Sequence, residues 1–330
     1  MSNEADSSAA PGNLQHPRTS SSHRSSSETD ATPPPPLGKL VRMRALKPSE
    51  LPAHPALASY QAQATLPDLQ QFVASALDEG LTFIREYLPK KFKIKHKDRG
   101  SHPSSAPIEV RERNVKPKEL PAEVRPAKDD QVETWFARKS IHQNAAKGGT
   151  ASWDEFDHGL REDHSQHEME YTPDVKDSHK VLDWDAQLGE LQHRAGAWHH
   201  VHMSIVEMLH HIPSPLNNRV FPVLVITAKA HNRIIVVQIP VQVASVSGVK
   251  YAAGGKDSKI TVGMYCSIEY CELTDHAHKI CWQMATASNA KGSLPMWAQK
   301  MGVPNAVVKD VGLFIGWTAE RRKASAAKES

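Results

Sequence analysis

Five segments between Trp198 and Ser288 repeat with a period of two, and this repeat constrains the fold more than any other feature of the chain. In 198–209 (WHHVHMSIVEML), Val201, Met203, Ile205, Glu207 and Leu209 fall on one side of an extended strand, while His200, His202 and Ser204 fall on the other. Segments 219–230 (RVFPVLVITAKA) and 233–243 (RIIVVQIPVQV) flank His231-Asn232, a two-residue connection of hairpin type. After the Gly254-Gly255 turn, Ile260, Val262, Met264, Cys266, Ile268 and Tyr270 alternate with polar or small neighbours, and 279–288 (KICWQMATAS) closes the series. Short connections between such strands dictate an antiparallel meander.

The segment that follows, Gly292 to Trp317, reads as a helix. Proline suits a first helical turn, so Leu294-Pro295 is expected to start it and Pro304 to bend or restart it. Val307, Val308, Val311, Phe314 and Ile315 then recur at spacings of three and four, which lays one apolar stripe along the helix. A curved sheet is the natural burial site for that stripe, and incomplete closure between the two leaves a pocket. Upstream, 65–89 predicts one amphipathic helix with Thr65 and Asp68 at its N-cap and Pro89 at its end, and Ser152 with Glu155 opens a short helix. Ile108–Val110 and 134–140 (TWFARKS) are expected strands, and Val181–Trp184 a further short one. The order of elements is that of an α+β domain.

Composition separates this body from its ends. Residues 1–58 concentrate Ser and Pro, including the Pro33–Pro36 run, and cannot bury enough apolar area to offset their ordering entropy, so a disordered arm is expected there. The domain is placed at 59–320, with a basic and loop-rich insertion at about 89–130, and 321–330 as a flexible tail. Lys90, Lys91, Lys93, Lys95 and Lys97 form a basic run, read as a solvated linker or as a patch for a transient contact with an anionic membrane surface. Lys plus Arg is 40 against 37 for Asp plus Glu, a balance too mild to imply nucleic acid. Cys266, Cys271 and Cys281 lack metal-ligand spacing and fit reduced, buried thiols. No signal peptide is evident, so a cytosolic or peripheral membrane protein is expected.

With these residues laid out, the chain resembles the START-like, helix-grip superfamily, and within it a fungal group of START-like domains of unknown function. The phrases ETWFARKSIH at 133–142, ASWDEF at 151–156, HEMEYTPDV at 167–175, RVFPVLVITA at 219–228, VVQIPV at 236–241 and MATASNAKGSLPMW at 284–297 carry that likeness over roughly 60–320. It implies a curved antiparallel sheet wrapped around a long C-terminal helix, with a hydrophobic ligand such as a sterol or phospholipid held between them. Fold alone does not fix the ligand.

The expected pocket draws Val201, Met203, Ile205 and Glu207 from the first strand, Arg219, Val237, Met264 and Trp282 from later ones, and Trp297, Val311 and Phe314 from the terminal helix. Glu207 shares a face with apolar residues, where a carboxylate is costly unless paired. It reads either as a polar anchor paired with Arg219 or as a strand-end group reaching solvent. Tyr171, His142 and Arg138 lie in the family phrases and read either as functional or as packing residues. His200 and His202 share a strand face, yet no third ligand is visible and no metal or other cofactor is expected. No nucleophile elbow, P-loop or HExxH is present, so an enzyme reading rests on Glu207 or a pocket histidine as general acid or base, and a scaffold role on the arm and basic run.

Overall fold

The computed structural model describes residues 33–126, 132–189, 197–254, 259–289 and 296–329, with the side chains of 296–301 and 329 left out. Ten strands form one sheet: β1 (Lys93–Ser101), β2 (Ser104–Val115), β3 (Glu133–Gln143), β4 (Val175–Asp183), β5 (His199–His210), β6 (Asn218–Ala230), β7 (Arg233–Pro240), β8 (Ile260–Val262), β9 (Met264–Thr274) and β10 (Lys279–Asn289). Their order is β1-β2-β3-β10-β9-β7-β6-β5-β4, antiparallel throughout, with β8 adding to β6 in parallel. The His231-Asn232 hairpin forms as expected, with Ala230 opposite Arg233.

The helices are α1 (Ala58–Gln61), α2 (Leu69–Thr82), α3 (Leu88–Lys91), α4 (Trp153–Leu160), α5 (His164–Tyr171), α6 (Asp185–Leu188) and α7 (Met296–Glu329). Asp68 caps α2 by accepting from the Gln71 amide at 2.9 Å, and Ser152 and Glu155 form the expected reciprocal capping box on α4. The helix expected over 65–89 is interrupted. A π turn, Phe83–Tyr87, separates α2 from α3 directly ahead of Pro89, whose ring cannot sit against the carbonyl four residues back in a regular helix.

Each face of the sheet has its own cover. On one side Phe72, Val73, Ala76 and Leu77 of α2 pack on Val201, Met203, Ile205, Leu224, Ile226, Ile235, Val237 and Ile268. The helix sits so close that a Cβ on Gly80 would lie 2.9 Å from Val237, so glycine is required there. On the other side Val308, Val311, Phe314 and Ile315 of α7 meet Phe156, Trp282, Ile280, Cys271, Ile108 and Val110. Covered twice, the central strands read as near-continuous apolar runs: all eight residues of β7 except Arg233 are buried.

Three expectations change. Leu37, Val41, Leu46, Leu51 and Leu57, placed in a disordered arm, are buried in the first cluster, and residues 1–32 lie outside the described ones. They carry neither helical nor strand period, so no periodicity reveals them. They are held by tertiary contacts: Glu79 accepts from the amides of Lys39, Leu40 and Val41 at 2.9, 2.8 and 3.1 Å, and buried Arg42 pairs with Glu133 at 3.1 Å. The basic run is a strand, not a linker. Its alternation is hidden because Lys93 to Asp98 is exposed on both faces. The supposed tail continues α7, with Arg322 bound to Glu155 at 2.7 and 2.8 Å, and the helix runs unbroken through Pro304.

Candidate functional site

The pocket expected from sequence divides between the two faces. Val201, Met203, Ile205 and Val237 lie in the cluster under α2, and Met264 has the parity of Cys266 and Ile268, which join that cluster. Trp282, Val311 and Phe314 lie under α7, with the Trp282 and Phe314 rings 5.1 Å apart. The side chain of Trp297 falls outside the described residues. These residues therefore do not share one wall. The period fixed which residues are neighbours on a face but not which face each helix covers.

Glu207 is neither a ligand anchor nor a solvent-facing strand end. Fully buried, it accepts from the amides of Lys250, Tyr251 and Ala252 at 2.6, 3.0 and 2.6 Å, and so pins the loop after β7 to the sheet. Arg219 stands opposite His210, three residues from Pro222, the partner of Glu207. It thus belongs to the other face, where it donates to the Asn217 carbonyl. His200 and His202 are both exposed, but the strand is irregular between them. Register slips between His199 and His202, and His200 takes a left-handed backbone conformation there. No group of three or more potential metal ligands occurs among the described residues.

Polar chemistry gathers instead on the α7 face. Arg138 of β3, Glu269 of β9 and Trp282 of β10 are neighbours because β10 pairs with both other strands, setting Met284 opposite Arg138 and Glu269. The Arg138 guanidinium donates to Glu269 at 2.8 Å and stacks on Trp282 at 3.9 Å, and the Trp282 indole donates to the same carboxylate at 2.7 Å. Arg138 Nε and Nη1 have no hydrogen-bond partner, although the residue is only 2% exposed. Glu168 and Tyr171 of α5, Asp310 of α7 and Gln238 of β7 complete the wall of a small chamber of about 20 Å³. That is room for about one water-sized group.

Three carboxylates thus surround one guanidinium. Burial, then repulsion by Glu269 and Asp310, pushes the Glu168 carboxyl up to about 8. Asp310 is pushed up to about 6 by burial despite the nearby Arg138. At neutral pH Glu168 therefore holds its proton and can donate, while Asp310 is mainly ionised and accepts. His164 is neutral. Its Nδ1 donates to the Leu160 carbonyl at 2.7 Å, its Nε2 accepts from Gln238 at 3.0 Å, and burial holds its pKa below the usual imidazole value. His142, beside Ser140 at 2.8 Å, is forced down to about 3 by burial and then by Arg138.

His164 also borders a larger cleft of about 650 Å³ between the α4–α5 junction and strands β4, β5 and β6. Val206, Val225 and Thr227 form its floor, with Ser178 and Ser204 beside them. Arg161, Asp163, Lys180, Asp183 and His202 line the rest. The Thr227 hydroxyl is buried with no partner. Arg161 is fixed to Asp157 at 2.5 and 3.1 Å, and Lys229 shares that carboxylate at 2.5 Å.

Of these residues, sequence reading singled out Arg138, His142, Tyr171, His202 and Trp282. It missed Glu168, Glu269, Asp310, His164 and Gln238. Glu269 alternates correctly with Ile268, which signals a polar face, but nothing in the strand itself reveals that helices cover that face.

Comparison with solved structures gives the fold a precedent. Human StAR-related lipid transfer protein 5 superposes with a TM-score of 0.50 at 11% identity, over 77% of this chain and 97% of that one. Human STARD10 gives 0.48 at 10% identity over 80% and 84%, and the lipid transfer and protein localization domain of human StarD13 gives 0.41 at 14% over 73% and 95%. The fold is a START-like helix grip. Residues 135–318, more than half of the chain, match a family described as a protein of unknown function (DUF3074). No curated protein matches the sequence.

Proposed function

Since the chain belongs to the DUF3074 family and carries a START-like fold, we propose that it binds one amphipathic lipid on the α7 face, with the polar end at the Arg138 chamber and the body in the adjoining cleft. The observation that carries this reading is Arg138, a buried guanidinium with two unpartnered nitrogens, facing carboxylates and lying next to a cleft of about 650 Å³. The cleft falls within the range of about 300–1,000 Å³ usual for ligand pockets, with Val206 and Val225 as its apolar floor and charged and polar side chains around them. The lipid-transfer name of the StAR-related neighbour points the same way.

The lining favours a hydroxyl over a phosphate. An alcohol oxygen accepts from Arg138 and donates to Asp310 or Glu269, whereas a phosphate would meet the negative charges of Glu269 and Asp310 against one cation. A sterol is thus preferred to an anionic phospholipid. Apolar burial then supplies the affinity, at about 25 cal/mol per Å² removed from water.

The test uses purified full-length protein, native mass spectrometry with lipid extraction, and titration with a fluorescent sterol and a fluorescent phosphatidylcholine. Saturable sterol binding that is lost in Val225→Trp and weakened in Arg138→Gln, while Glu207→Gln binds normally, is the expected result. If no lipid co-purifies and neither probe binds, the reading fails.

A further inference from the structure

We infer that strand β1 is a docking edge for an anionic phospholipid bilayer, and that it presents an opening beside Pro304 to that bilayer. This rests on the lipid-binding reading for the use of the opening, but not for the docking. Strand β1 is the outermost strand of the sheet, and from Lys93 to Asp98 neither of its faces is covered. Lys93, Lys95, Lys97 and Arg99 project from it, preceded by Lys90 and Lys91 of α3, against Asp98, Glu86 on the π turn, and the cross-strand Glu112 and Glu109, the last held by Arg111 at 2.6 Å. Glu112 holds Lys95 at 3.0 Å, yet that lysine remains 52% exposed. The excess charge is therefore positive and concentrated along one edge. Ile94 stands among these cations with 43% of its surface exposed, an apolar group suited to the boundary between headgroups and acyl chains.

What distinguishes this edge from an ordinary protected one is its neighbour. A cavity of about 330 Å³ lies between Lys95 and His96 on β1 and Pro304 and Asn305 on α7, floored by Val110 and Phe136. Val110 pairs with Arg138 across β2 and β3, so this floor and the Arg138 chamber lie on the same face of the sheet. Arg99 reaches Asn305 at 3.3 Å and ties the basic strand to that part of α7. A bilayer held by the lysines would therefore meet the sheet where the helix-covered face opens. Lysines on an edge strand also block strand addition between copies, and that is the competing role.

Flotation of the full-length protein with vesicles of phosphatidylcholine alone, and of phosphatidylcholine mixed with phosphatidylserine, tests the inference. Wild type should float only with the phosphatidylserine vesicles, and less as salt rises. The triple variant Lys93→Glu, Lys95→Glu, Lys97→Glu should bind them at least about tenfold more weakly, and Ile94→Ser should weaken binding to a smaller degree. A matching triple Lys→Gln variant, with thermal denaturation alongside, controls for misfolding and should show an intermediate loss. Sterol titration without vesicles should be unchanged in all of these, which separates failure of docking from failure of ligand binding. If wild type ignores phosphatidylserine, or if the triple reversal floats as wild type does, the inference is overturned and the lysines only guard the edge.

Discussion

The two faces of one sheet treat buried charge in opposite ways. On the α2 side buried Glu133 pairs with Arg42, and two further carboxylates are answered by backbone: Glu79 takes three amides from 39–41 and Glu207 three from 250–252. Both are clamps that hold irregular segments against an apolar layer. Under α7, Arg138 bonds Glu269 in a chamber also lined by Glu168 and Asp310, two of its nitrogens are left over, and an open cleft lies alongside. The first face answers these carboxylates from its own chain. The second has surplus hydrogen-bonding capacity in a low-dielectric setting, which is costly for stability and useful for holding a guest. The contrast explains why a buried carboxylate by itself does not identify a site. What matters is whether the chain has already satisfied it.

The largest effect that would test this contrast is on the closed side. Leu77→Ala, in the heart of the α2 layer, should cost about 2–5 kcal/mol in denaturant unfolding and leave sterol affinity per folded molecule unchanged. Glu207→Ala should follow at roughly 2–4 kcal/mol, since it leaves three loop amides without their charged acceptor. Proteolysis in the 250–252 loop should rise with it. If Glu207→Ala weakened ligand binding at full stability, the division between clamp and site would be wrong.

A smaller effect concerns protons. Glu168 has a folded pKa near 8, above that of an ordinary glutamate, so between those values the folded state binds more protons than the unfolded one and stability falls as pH rises. The imidazoles of His164 and His142 are shifted down, and their contribution runs the other way, with stability lost on acidification below the ordinary imidazole value. Above that value the Glu168 slope remains, joined near the ordinary thiol range by the buried Cys266, Cys271 and Cys281, whose pKa values burial raises. Unfolding free energy should therefore decline by about 1–2 kcal/mol over two pH units on the alkaline side of neutrality, and Glu168→Gln should flatten the decline. An equal slope in both proteins would show that Glu168 is not the proton holder. Smallest of all, Val225→Trp should change stability by less than about 1 kcal/mol, because it fills open space, while removing ligand binding.

Much of the architecture was legible in the residues. The alternation in β5, β9 and β10, the hairpin at His231-Asn232, the capping box at Ser152 and the stripe of α7 are local signals, and each formed where the pattern placed it. Boundaries that depend on distant partners were not legible. Leu37 to Leu57 have no period because they are buried in an irregular segment held by tertiary contacts, and β1 looked like a linker because an uncovered strand needs no apolar side. The site was less legible still. Arg138 and Tyr171 were visible as candidates, but Glu168, Glu269 and Asp310 acquire their character only from one another.

By itself, then, the sequence determined the kinds of element, the antiparallel order of β5, β6, β7, β9 and β10 and the likeness to the helix-grip fold, since hydrogen-bond periodicity and side-chain alternation are properties of a few successive residues. Only the tertiary structure decided that α2 closes one face and α7 the other, that Glu207 is consumed by a loop, and that groups from positions 138, 168, 269 and 310 meet in one chamber. A carboxylate's solvation and proton affinity depend on what surrounds it in space, and no local pattern records that.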